Sequence, residues 1–388
     1  MADAYLVGAV RTAVGRRKGA LSGVHPIDLG AAALDALIER TGADPDAVED
    51  VIFGCVDQVG AQSANIARNA VLSSSLPEHV PATTVDRQCG SSQQALHFAA
   101  QAVMSGVHDV VIAGGAENMS MVPLGANAIA GHKAGFGVPY GKGMKARYPG
   151  QRFDQFRGAE MIADRWGLDR DTLDAFGLQS QQRAAAAAEA GKFEAEITPL
   201  EVDTDGVVTT VARDEGIRET SPEALAGLNP VVDGGRLTAG TASQISDGAA
   251  AILVCNDAGL GRLGLEPRAR VHTMTLAAGD PVMMLHVPIA ATQKALERAG
   301  LSIDDIDVYE VNEAFASVPL AWLHDVKADP ARLNVNGGAI ALGHPLGCTG
   351  ARLMTTLLHE LERSGGRYGL QTMCEGGGLA NCTIVERV

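Results

Sequence analysis

The chain has 388 residues, more than the about 100–150 that one ordinary core holds, so two or three folded units or one duplicated unit is expected. Hydrophobic residues make up 46 % and charged residues 20 %, which excludes disorder as the main state. With 31 Lys and Arg against 46 Asp and Glu, the net charge is −15. That argues against nucleic acid or an anionic membrane as the main partner, and an anionic substrate would need a local basic patch.

No apolar run approaches the ~18 residues of a membrane span. Met1–Val10 places its apolar stretch ahead of Arg11 and Arg16-Arg17-Lys18, the reverse of a secretion signal. The six cysteines, Cys55, Cys89, Cys255, Cys348, Cys374 and Cys382, form no Cys-x-x-Cys pair and no zinc spacing. They read as reduced thiols in a cytoplasm, and by composition as small buried hydrophobes.

Leu37–Gly42 predicts an amphipathic helix stopped by glycine, followed by an acidic turn and a strand, Val51–Gly54. Cys89 opens a helical segment that ends at Gly106. Its Ala95, Leu96, Phe98, Ala99, Ala102 and Val103 mark a buried face. A thiol at a helix N-terminus feels the positive end of the macrodipole, which favours thiolate. The strand Asp109–Ala113 then runs into Gly114-Gly115.

Residues 119–247 differ in character. Asp169–Ala190 is helix-prone, and Lys133, Lys142, Lys145, Arg147, Arg152 and Arg157 form a basic cluster that is either solvated surface or a phosphate clamp.

The first pattern then recurs. Ala295–Gly300, an acidic turn and the strand Val308–Asn312 match the segment around Gly42, with Gly300 lying 258 positions beyond it. Cys348 opens a helical segment ending at Gly365, each 259 positions beyond Cys89 and Gly106. The strand Tyr368–Met373 follows, then Cys374 and Gly376-Gly377-Gly378. Four landmarks at one near-constant offset imply two copies of an α/β unit of roughly 120 residues.

Four elements carry candidate chemistry: Gln88-Cys89-Gly90-Ser91, Asn312-Glu313-Ala314-Phe315-Ala316, Gly343-His344-Pro345-Leu346-Gly347-Cys348-Thr349-Gly350, and Cys374-Glu375-Gly376-Gly377-Gly378. The duplication predicts all four at the carboxyl ends of strands, the edge where open α/β folds build sites. A Cys–His pair makes a nucleophile with its base, a second Cys can serve as acid and base for a carbon acid, and Asn with backbone N–H groups can hold an oxyanion.

With Val85-Asp86-Arg87-Gln88-Cys89-Gly90-Ser91, Asn312–Ala316, Asn336–Pro345, Cys374-x-Gly376-Gly377-Gly378 and Ala242–Ala249, the sequence resembles the thiolases along its whole length. The likeness is greatest to bacterial degradative thiolases, among them those that shorten steroid side chains as CoA esters.

The resemblance implies a five-layered α/β/α/β/α fold of two duplicated halves with an inserted loop domain. The halves would be 1–118, completed by 248–266, and 267–388, with a CoA-binding loop domain at 119–247. It implies cleavage of 3-ketoacyl-CoA by CoA, or the reverse Claisen condensation. Cys89 would carry the acyl group, His344 would activate it, and Cys374 would move the proton. Asn312, through a water, and the backbone N–H groups of Cys89 and Gly376 would hold the oxyanions. Ser243 would lie near the pantetheine and Arg218 near the nucleotide of CoA, which is substrate. No permanently bound cofactor and no metal is implied, and homodimers or homotetramers are expected.

The chain departs from the family pattern in four places. Gln155–Glu160 lacks the histidine that short-chain biosynthetic members carry at that point, which leaves room for a bulkier acyl group. Ala380 and Ser92 stand where glycine is usual, and Glu375 adjoins Cys374, whose pKa a like charge would raise. A condensing or decarboxylating ketoacyl synthase on the same fold is the nearest alternative. A protein that only binds acyl-CoA is the other, but such a protein should have lost one of Cys89, His344 or Cys374.

Overall fold

The computed structural model describes residues 2–204 and 206–388. Within it the duplication is structural as well as sequential. The helices Pro26–Thr41 and Pro288–Ala299 end on Gly42 and Gly300, both at φ 67°. Ser91–Ser105 and Thr349–Ser364 end on Gly106 and Gly365 at φ 73° and 72°. Only glycine enters this left-handed region without steric cost, so the same residue closes the same helix twice.

Each half builds its sheet in the same order. In the first half Tyr5–Thr12 is followed by Ser246–Cys255, Val110–Asn118, Asp50–Gly54 and Ala82–Val85. In the second, Ala269–Ala278 is followed by Leu379–Arg387, Tyr368–Glu375 and Val308–Val311. The two sheets join edge to edge where Tyr5 and Leu6 pair antiparallel with Arg270 and Ala269. Strands such as Val110–Asn118 and Ser246–Cys255 are buried on both faces and read as near-continuous apolar runs, broken only by Glu117-Asn118 and Ser246-Asp247 at their ends.

Five layers pack around apolar cores, two outer ones and a middle one that reaches both sheets. The helices Pro26–Thr41 and Ile66–Ser73 cover one side of the first sheet. Ser91–Ser105 and Thr349–Ser364 fill the middle, where Leu96, Met354, Leu357 and Leu358 are fully buried. Pro288–Ala299 and Ser317–Val326 close the far side of the second sheet. The five-layered expectation holds. One detail does not: Phe98 lies on the central helix Ser91–Ser105 but is 41 % exposed, because the buried stripe runs through Leu96, Ala99, Ala100 and Val103.

The halves diverge at one corner. Where the first has the strand Ala82–Val85 leading to Cys89, the second has the short helix Ala339–Leu342 leading to His344. So His344 follows a helix, not a strand, and the expectation of four strand ends is corrected to three.

The stretch between the halves carries the helices Gln155–Arg165 and Arg170–Glu189, the latter capped by Asp169. Fully buried Arg11, on the first strand, pairs with Glu196 and Asp214 of this stretch at 2.8 and 2.7 Å and ties it to the first sheet. No helix among the described residues is long and apolar enough to cross a membrane.

Candidate active site

Cys89 sits on a sharp turn between a strand and a helix. Gln88 adopts φ 50°, an uncommon conformation for a residue with a side chain. Ser91 fixes the turn by donating its hydroxyl to Gln88 O at 2.6 Å and accepting Arg87 N–H at 2.9 Å. Gly90 caps the helix without a side-chain bond, so the thiol lies just ahead of free helix N–H groups.

The macrodipole nevertheless loses to burial. Burial, then the adjoining Glu375, pushes the Cys89 thiol up to about 12, while the N–H groups of Cys89 and Gly376 pull it the other way. The expectation of a favoured thiolate is therefore reversed.

His344 is positioned by Gly343, at φ 92°. A Cβ on that glycine would lie 2.4 Å from Ser246 Oγ, and the same hydroxyl accepts the His344 N–H at 3.1 Å. The Thr349 hydroxyl donates to Pro345 O at 2.7 Å, so at its 2.6 Å contact with His344 Nδ1 it must accept. This assigns the proton to Nδ1 and leaves Nε2 as an acceptor. Asn312 Nδ2 lies 3.3 Å from Nε2. Burial, with the charge of Arg352, lowers His344 to about 3, so the imidazole is neutral.

Asn312 directly follows the strand Val308–Val311, and its N–H donates to Thr372 O at 3.1 Å. Its buried Oδ1 has no hydrogen-bond partner among the described residues. Cys374 is the penultimate residue of the adjacent parallel strand Tyr368–Glu375 and is fully buried. Burial, neighbouring Cys89 and Glu375 all raise its pKa. The Gly376–Gly378 turn, with Gly377 and Gly378 at φ 82° and 76°, swings the next strand back and leaves the Gly376 N–H facing the Cys89 sulfur.

A cleft of about 890 Å³ opens onto Cys89 and Gly376. Its far walls are mostly apolar: Leu124, Phe136, Val138, Met144, Phe153 and Leu346. Gln155, where the short-chain pattern would differ, also faces it. The structure thus brings Cys89, Gly376 and Cys374 to one place and pairs His344 with Asn312. Ser243 is held by its N–H on Ala314 O at 2.9 Å, just past Asn312. Arg218 is exposed, reaching Ala239 O at 3.4 Å. Neither lines the Cys89 cleft.

Thr349, which sets the histidine tautomer, lies within the Gly343–Gly350 element, but sequence reasoning gave it no role. Its place next to Cys348, five residues after His344, was the available signal. Sequence reasoning missed Glu117, whose carboxylate accepts the N–H groups of Val56 and Gly347, both at 2.8 Å, and so pins the His344 loop to the first half.

Sequence-family models for Thiolase, N-terminal domain, and Thiolase, C-terminal domain, match residues 4–258 and 265–387. The chain belongs to the thiolase family. It is 56 % identical over 390 residues to the steroid 3-ketoacyl-CoA thiolase FadA6 of Mycobacterium tuberculosis, covering all of this chain and 95 % of that protein. It is 44 % identical to a 3-ketoacyl-CoA thiolase of Escherichia coli over the full length of both. Among solved structures, the Bacillus anthracis acetyl-CoA acetyltransferase superposes with a TM-score of 0.92 at 34 % identity, over 100 % of this chain and 99 % of that one. This thiolase is accordingly an acyltransferase acting on CoA thioesters.

Proposed function

We propose that this thiolase cleaves bulky 3-ketoacyl-CoA thioesters with CoA, through an acyl group carried on Cys89, in lipid or steroid side-chain degradation. The same groups run the reverse Claisen condensation. One observation carries the reading: Cys89 lies at the foot of a large apolar cleft, its sulfur faced by the N–H groups of Cys89 and Gly376, with Cys374 behind it.

The steps follow from the resting state. With a neutral thiol and a neutral imidazole, the Cys89 proton passes to His344 Nε2 only as sulfur attacks the C3 carbonyl. The oxygen of the resulting adduct carries the new charge, and positioned donors hold it. The C2–C3 bond then breaks. Cys374 gives its proton to C2 of the acetyl-CoA enolate, and acetyl-CoA leaves. The Cys374 thiolate takes the proton of incoming CoA, whose sulfur attacks the acyl–Cys89 thioester. Cys89 leaves as thiolate and recovers its proton from His344. In the resting state Asn312 Nδ2 donates to Nε2, and when Nε2 takes the proton the free Asn312 Oδ1 is the atom able to accept it, while Thr349 on Nδ1 keeps the ring oriented; through a water, Asn312 also shares in holding the oxyanion beside His344.

Residues 119–247 act as the CoA-binding loop domain between the halves 1–118 with 248–266 and 267–388. Lys133, Lys142, Lys145, Arg147, Arg152 and Arg157 are all exposed and none forms an ion pair among the described residues, which supports their use on CoA phosphates. Ser243 serves the pantetheine arm and Arg218 the nucleotide. The protein needs no permanent cofactor and works in the cytoplasm as a homodimer or homotetramer.

The test is a panel of acetoacetyl-CoA, a long-chain 3-ketoacyl-CoA and a steroid-CoA ketoester, compared by kcat/KM with and without CoA. Consumption that requires CoA, and is fastest for the bulky substrates, is expected. A preference for acetoacetyl-CoA would overturn the bulky-substrate reading.

A further inference from the structure

The duplication puts a carboxyl group in the same place twice and treats it differently. Val51 pairs with Ile112 in the first half and Tyr309 with Leu370 in the second, so the register carries Glu117 onto Glu375. Glu117 is fully engaged: it accepts from the backbone of Val56, Asp57 and Gly347 and from the Gln62 amide, at 2.7–3.1 Å. Glu375 is just as buried, at 0 % exposure, yet neither of its oxygens has a hydrogen-bond partner among the described residues.

Its position is specific. A Cβ added to Gly90 would lie 2.1 Å from Glu375 Oε1, so the carboxyl rests against the turn that presents Cys89. Cys374 is the preceding residue. An unpaired buried carboxyl costs stability and asks for a reason to persist.

We propose that Glu375 governs the reactivity of both active-site thiols: uncharged, it lets them ionise as the reaction requires, and charged, it suppresses them. The proposal rests on the roles given above to Cys89 and Cys374. Glu375 acts through these thiols, as a positioning residue.

The charged and titratable groups around it are few. The nucleophile turn supplies Arg87 and Cys89, with Asp86 engaged on the Gln88 N–H at 2.7 Å. Its own strand supplies Cys374. The paired strand supplies uncharged Asn381. Burial raises the Glu375 carboxyl to about 8, against the pull of Arg87 and of the Asn381 backbone N–H nearby. Both thiols are raised by it in turn. The switch from uncharged to charged therefore falls just above neutral pH.

The experiment is the rate of Cys89 alkylation by iodoacetamide from pH 7 to pH 9, read by peptide mass spectrometry on the full-length protein, its E375Q variant and its E375D variant. Alkylation follows thiolate and rises with pH. In the wild type and E375D the rise should stall near pH 8. In E375Q it should continue, so that its pH 9 to pH 7 rate ratio exceeds the wild-type ratio on the order of tenfold. Equal ratios in wild type and E375Q overturn the proposal.

Should E375Q fail to fold, infrared difference spectra of the wild type and E375D between pH 7 and pH 9 decide. A protonated-carboxyl band lost between pH 7 and pH 9 whose frequency or midpoint differs between wild type and E375D supports the proposal, and a band loss identical in the two, as Glu310 alone would give, overturns it. Failure of the underlying assignment reads differently: the acyl group would be found on a residue other than Cys89, whatever the E375Q profile.

Discussion

At Asn312 the side-chain amide does one visible thing: it meets His344 Nε2 while Thr349 holds Nδ1. Asn312→Ala should lower kcat by about 10²–10³-fold, the usual loss when a positioned oxyanion donor is removed. It should leave KM for the CoA thioester within a few-fold, and steady-state kinetics check both. A variant that mainly raises KM would place Asn312 in binding. As candidates, Cys89, His344, Cys374 and Asn312 could be picked out because their neighbours form motifs. Their protonation states could not. A helix N-terminus is visible in sequence, but the burial that raises Cys89 and lowers His344 comes from contacts far apart in the chain.

The element that most repays attention is the crossing of the two central helices. Thr349–Ser364 begins on Cys348, which caps nothing with its side chain. The missing cap comes from the twin helix: Ser92 Oγ accepts the Ala351 N–H at 2.9 Å. This accounts for serine at a position where glycine is usual. Ser92→Ala should destabilise the protein by about 1–2 kcal/mol, leaving a buried N–H unpaired. Chemical denaturation measures it, and an unchanged midpoint would remove Ser92 from that role. Close contact at the same crossing explains Gly350, where a Cβ would lie 2.3 Å from Gln93 N. Helix ends, strand starts and glycine stops were readable from periodicity and turn residues. The crossing was not, because a helix-to-helix cap has no local sequence signature. The change from strand to helix before His344 was hidden too, since a duplicated pattern predicts sameness and not divergence.

For the whole molecule, the duplication was the most legible feature and the distribution of buried charge the least. Glu310 lies in the second sheet with both oxygens unpartnered among the described residues, and burial raises it to about 8 against the attraction of Arg352. The unfolded chain would ionise this group near its ordinary value of 4.5. Between that pH and about 8 the folded state binds the extra proton, so its contribution to stability is full below 4.5 and falls as pH rises. Glu310→Gln should flatten the decline in stability between pH 5 and pH 8, as urea denaturation across that range would show. A parallel decline in the variant would assign the pH dependence to other groups.

The central claim is that Cys89 carries the acyl group and Cys374 only moves protons. Incubation of Cys374→Ser with an acyl-CoA, without free CoA, followed by peptide mass spectrometry, tests it directly. The account predicts an acyl adduct on the Cys89 peptide that persists, and no adduct in Cys89→Ser. An adduct absent from Cys374→Ser, or present elsewhere in Cys89→Ser, would contradict it.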